Sequence, residues 1–204
     1  MHFSWLGNTA MKIQTKPAEA DITIVIDPYK PATGTFPRSL TPNITLYTRG
    51  ENESITVSGN PFILSTPGEC ETKGVLITAG FGGDRDHLFI RFDAEGMSVA
   101  HLGLTRHVPT ESELEIVGDV DILVLPVGGG SGYDPEDAVK VINLIEPKIV
   151  IPVAFKSDND PKLAGTEGFL RELGVKAETP ETKVILKKKD LPSEETKVVV
   201  LKKE

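Results

Sequence analysis

Two uninterrupted apolar runs, DILVLPV at 121–127 and KIVIPV at 148–153, bracket a helix start at Asp134-Pro135. Short apolar runs without alternation read as strands buried on both faces. Asp134 has the side chain of an N-cap and Pro135 the fixed φ of a first helical position, which predicts a helix to about residue 145. Ahead of this region the chain reads as strands at 2–6, 10–15, 21–26, 43–48, 61–65, 73–79, 87–92 and 97–102. The order is therefore many strands, then βα units alternating with strands. That pattern predicts an α+β fold with sheet layers inside and helices outside.

The connections carry their own signals. Pro31, Gly34, Pro37 and Pro42 make 30–42 a loop. Residues 49–54 (RGENES) are polar, Pro67-Gly68 reads as a turn, and 80–86 (GFGGDRD) reads as a flexible loop. Thr110 opens a short helix at 110–117, with Glu113 in the reciprocal capping position. A further helix at 166–173 ends at Gly174, and strands are expected at 183–187 and 196–201. No internal linker interrupts the pattern, so residues 1–204 are expected to form a single domain.

Composition narrows the function classes. Lys and Arg total 22 against 30 Asp and Glu, a net charge of −8. That balance disfavours nucleic acid as a partner. Cys70 is the single cysteine, which points to a reducing compartment. No apolar run approaches the roughly 20 residues of a membrane helix, and the first residues lack a signal-peptide pattern. A cytoplasmic location and no membrane partner are the expectations. The 196–201 strand offers an edge for pairing into a homo-oligomer.

The four histidines, His2, His87, His101 and His107, are never closer than six positions, and there is no HxH, HxxxH or CxxC. Yet several ordered segments carry a resemblance. WLGNTAMKI at 5–13, DITIVIDPY at 21–29, PGECETKGVLI at 67–77, HLGL at 101–104, GDVDILVLPVGGG at 118–130, IEPKIVIPVAF at 145–155 and DLPSEETKVVVL at 190–201 together resemble the metallo-β-lactamase fold superfamily. Within it, they look most like the UlaG-like small metal-dependent hydrolases. The resemblance implies a four-layer αββα sandwich. It also implies a metal loop of the form HxHxDH, to which Thr48, Gly50, Asn52 and Glu53 correspond here. Asn8 stands at the opening loop's histidine, Leu104 at the bridging aspartate and Ala154 at the late histidine; 78–82 holds no middle histidine.

Zinc needs nitrogen, sulfur or oxygen donors converging at about 2.0–2.3 Å. Leucine and alanine side chains have none, so the resemblance predicts a degenerate member with no catalytic residue, no metal and no cofactor. Such a chain would bind a small anion or a protein partner. The alternative is a hydrolase of ester or phosphoester bonds with a rebuilt zinc, manganese or magnesium site on Asp27, Glu51, Glu53, His101 and His107. Each has a plainer reading: Asp27 as a cap on its own loop, Glu51 to Glu53 as a solvated turn, His101 as a packed and hydrogen-bonded residue. Arg49, Arg85 and Arg106, with Gly129 of the Gly128-Gly129-Gly130 loop, are the expected rim for an anionic ligand.

Overall fold

The computed structural model describes residues 1–37, 39–52, 54–176 and 179–204. Two β-sheets pack face to face and are flanked by helices, the αββα sandwich expected from the sequence. The first sheet is built from β1 (His2–Gly7), β2 (Ala10–Thr15), β3 (Ile22–Ile26), β4 (Ile44–Leu46), β5 (Phe62–Leu64) and β12 (Lys183–Ile185). Their spatial order is β12-β1-β2-β3-β4-β5. The second sheet contains β6 (Gly68–Thr72), β7 (Val75–Gly82), β8 (Asp84–Ala94), β9 (Met97–His101), β10 (Ile122–Pro126), β11 (Ile149–Val153) and β13 (Lys197–Val198). Its order is β13-β11-β10-β9-β8-β7-β6.

The apolar runs do what their composition requires. Every residue of β10 and β11 is buried, and the two strands pair in parallel, Ile122 opposite Ile149 through Pro126 opposite Val153. The crossover between them is α2 (Pro135–Ile145), where Asp134 Oδ1 accepts from the Asp137 N–H at 3.0 Å. Between the sheets lie Phe3, Trp5, Ile13, Ile24, Ile90, Phe92 and Val124, all buried. Side chains of this size contribute roughly 1.5–3 kcal/mol each on full burial. Leu6, Ala10 and Val25, on the other face of the first sheet, are covered by loop residues Tyr29, Phe36, Leu40, Ile55 and Val57.

α1 (Glu111–Val117) packs on β7 and β8, and α3 (Glu167–Leu173) packs against α2. The expected flexible loop at 80–86 is corrected here. Strand pairing runs on through Gly80 opposite Phe89 and Phe81 opposite Leu88, and the chain reverses only at Gly83. The glycines serve proximity rather than flexibility: a Cβ on Gly80 would stand 2.3 Å from Ile116 Cδ1 of α1. A second correction is β6. The sequence marks only a Pro67-Gly68 turn between 61–65 and 73–79, whereas Gly68–Thr72 pairs antiparallel with β7 as an edge strand.

Candidate functional site

The loops that follow β1, β3, β4 and β11 meet at one end of the sandwich. They enclose a cleft of about 460 Å³ whose lining includes Asn8, Asp27, Tyr29, Arg49, Asn159 and Asp160. Three of the residues that end these strands have left-handed backbones: Asn8 (φ 45°), Asp27 (φ 48°) and Ala154 (φ 50°). Asn and Asp tolerate this region, but alanine gains nothing from it. Ala154 is held there from both sides. Its N–H donates to Asn8 O at 2.8 Å, and its carbonyl accepts from the Gly128 N–H at 3.1 Å.

Asp27 forms the floor. It is 5% exposed. Its Oδ1 accepts from the Thr48 N–H at 2.7 Å, and its Oδ2 accepts from Thr48 Oγ1 at 2.6 Å and Thr9 Oγ1 at 2.9 Å. Its own N–H donates to Leu46 O. Three charge-assisted bonds, from one main-chain N–H and two hydroxyls, satisfy this buried carboxylate. The role differs from the expected cap on residues 28–30: Asp27 ties β3 to the β1–β2 turn and to the chain leaving β4.

Of the histidines, His101 completes the join between the sheets. Buried His101 accepts the Gly103 N–H on Nδ1 at 3.0 Å, so Nε2 carries the proton and donates to Thr9 O at 2.9 Å. Burial pushes its pKa down, against the Asp27 charge and the Thr9 bond, and keeps the ring neutral. His87 donates from Nε2 to Leu102 O at 2.6 Å, and burial lowers its pKa too. Leu88 N–H donates to Thr48 O at 2.7 Å, a main-chain link from the second sheet to the first. Gly103 permits this closeness. With φ at +66°, a Cβ there would sit 2.5 Å from Thr48 Oγ1 and 2.6 Å from His87 Cε1.

The structure therefore brings together Asp27 and His101 from the expected set, and adds Thr9, Thr48 and His87. The sequence marks Thr48 only as a lost metal-loop position and does not mark Thr9, because the bonds of both threonines lie across strands. Glu51 is exposed on the adjoining loop, where its Oε1 accepts from Ser65 Oγ at 3.0 Å. Glu53 lies outside the described residues. His107 lies outside the cleft lining, with Nε2 2.7 Å from Glu113 Oε2. Of the expected rim, Arg49 lines the cleft; Arg85, Arg106 and Gly129 do not. The Gly129 N–H is spent on Tyr133 O, within its own loop.

The donor set does not fit a metal. Both ring nitrogens of His101 and both oxygens of Asp27 are occupied by protein, while Leu104, Ala154 and Gly50 supply no side-chain donor. Among the described residues, no group of three or more His, Cys, Asp or Glu is placed to hold an ion. No helix among them is long and apolar enough to cross a membrane.

Comparison with known proteins agrees with this architecture. Residues 2–154 match the model of the beta-lactamase superfamily domain. Over 75 residues the chain is 39% identical to a UPF0173 protein of Pyrococcus abyssi, covering 37% of this chain and 33% of that protein. A second Pyrococcus relative, from P. furiosus, is likewise matched over only 33% of its length. A UPF0173 metal-dependent hydrolase of Lysinibacillus sphaericus is 24% identical over 212 residues, 80% of this chain and 90% of that one. Among solved structures, a Thermotoga maritima protein of the metallo-beta-lactamase superfamily superposes with a TM-score of 0.82 at 28% identity, covering 98% of both chains. Igni18, a metallo hydrolase of Ignicoccus hospitalis, shares the fold at a TM-score of 0.65 and 14% identity, over 91% of this chain and 99% of that one.

Proposed function

From the premise that this chain belongs to the beta-lactamase superfamily, we propose that it is a degenerate, metal-free and non-catalytic member whose cleft binds a small anionic group or a partner. One observation carries the reading. Beside the positions where the resemblance places metal ligands, the chain ties the floor of its cleft together with direct bonds: Thr9 and Thr48 on Asp27, and His101 on Thr9 O. A metal bound there would have to displace protein donors from Asp27 and His101 before it could use them. Arg49, exposed at the cleft and without a carboxylate partner among the described residues, supports an anionic ligand.

Elemental analysis of purified untagged protein, with thermal unfolding in EDTA and in added Zn²⁺, Mn²⁺ or Mg²⁺, tests this. The expected result is no bound metal and no change of midpoint. About one or two metal equivalents, with stabilisation lost in EDTA, would instead mean a rebuilt hydrolytic site.

A further inference from the structure

Asn8 stands between two opposite charges that do not pair with each other. On one side, Arg49 Nη2 lies 3.5 Å from both Asn8 Oδ1 and Thr9 Oγ1, contacts too long to hold it firmly. On the other, Asp160 Oδ1 accepts from Asn8 Nδ2 at 3.2 Å. Both charged residues line the cleft, as does exposed Lys30. The second oxygen of Asp160, Oδ2, is shielded from water and has no hydrogen-bond partner. Asp160 therefore carries a carboxylate that protein donors satisfy on one oxygen only.

The chemistry of an occupant follows from that pairing. A simple anion bound on Arg49 would lie near a carboxylate that lacks a donor. A simple cation bound on Asp160 would face Arg49 and Lys30. A molecule with both charges answers both groups at once. The path from Arg49 Nη2 across the Asn8 amide to Asp160 Oδ1 is at most about 9 Å. An α-amino acid carries its ammonium and carboxylate about 3 Å apart. A hydrogen bond of roughly 2.8 Å at each end gives it a reach of about 8.6 Å, close to that upper bound. The cleft wall beside Asp160 is polar as well, with Asn159 Nδ2 donating to the Tyr29 hydroxyl at 2.7 Å. A pocket of this volume and polarity suits a small hydrophilic molecule.

We propose that the cleft binds a small zwitterion of the α-amino-acid class, its carboxylate on Arg49 and its ammonium on Asp160. This rests on the metal-free binding reading above and makes it specific. Calorimetric titration of the whole chain with the common α-amino acids tests it, with propionate and propylamine as single-charge controls for alanine. The preferred amino acid is expected to bind about tenfold or more tightly than the acid or amine matched to it. Arg49→Ala is expected to abolish the advantage over the amine, and Asp160→Asn the advantage over the acid. Arg49 is exposed and Asp160→Asn keeps the side-chain shape, so unchanged thermal midpoints would show that both variants fold. Equal binding of propionate and alanine would overturn the zwitterion and leave a plain anion site, with the metal-free reading intact. Binding of none of these probes overturns it too. Metal uptake sensitive to EDTA would overturn the underlying reading instead.

Discussion

Asp27 has the appearance of a catalytic carboxylate and the environment of a structural one. Its three accepted bonds come from residues 18 to 21 positions away, on two separate loops. Asp27→Ala would leave a buried N–H and two hydroxyls without an acceptor, and is expected to cost about 3 kcal/mol or more in denaturant unfolding. Asp27→Asn should cost about half as much, since its carbonyl still accepts from Thr48 N–H and hydroxyls can turn to accept from its amide. Equal losses from the two changes would mean that shape rather than hydrogen bonding holds this position. The sequence marks Asp27 out because a strong strand ends there, and His101 for the same reason. It marks Thr48 only as a lost metal-loop position and gives no hint of Thr9; their hydroxyls matter only once the first sheet has formed.

The elements divide in the same way. Helices and buried strands were legible because their signals are local: Pro135 after an N-cap, Gly174 after an apolar face, and the capping pair Thr110 and Glu113. The β7–β8 hairpin was not, since its glycines are chosen by contacts with Ile116 of α1 and with Phe89 across the hairpin. Within α1, Glu113 does more than cap. It takes the Thr110 N–H and hydroxyl, the His107 ring and the Gly83 N–H, joining the helix to the hairpin tip. Burial pushes its pKa up, but the Thr110 N–H, the His107 ring and the Gly83 N–H outweigh that and hold it at about 2. The folded pKa is depressed, so this stabilisation is present above the ordinary value of 4.5 and lost as pH falls toward about 2. Glu113→Gln is expected to cost roughly 1 kcal/mol at neutral pH. It should also flatten the acid side of the stability profile between those two pH values; an unchanged acid limb would place the carboxylate outside the folded network.

At the scale of the whole molecule, the two buried histidines set an earlier acid limit. Burial lowers the pKa of both His87 and His101, so the unfolded chain binds their protons first. Stability should be complete above about pH 6.5 and decline below it, by up to about 1.4 kcal/mol per pH unit for each ring. Urea unfolding from pH 8 to pH 5 checks this, and a flat profile would mean the rings are solvated. The overall αββα arrangement was legible from the order of strands and βα units. The cleft's chemistry was legible mainly as a set of losses, because the replacement bonds join residues far apart in the chain. Those bonds have a consequence for the protein's life in the cell. Proteins that complete a fold around an ion mature only as fast as the ion is supplied and fail when it is scarce. On the metal-free reading proposed above, a chain that joins its own sheets through Thr9, Thr48 and His101 reaches its final form on folding, whatever the supply of zinc around it.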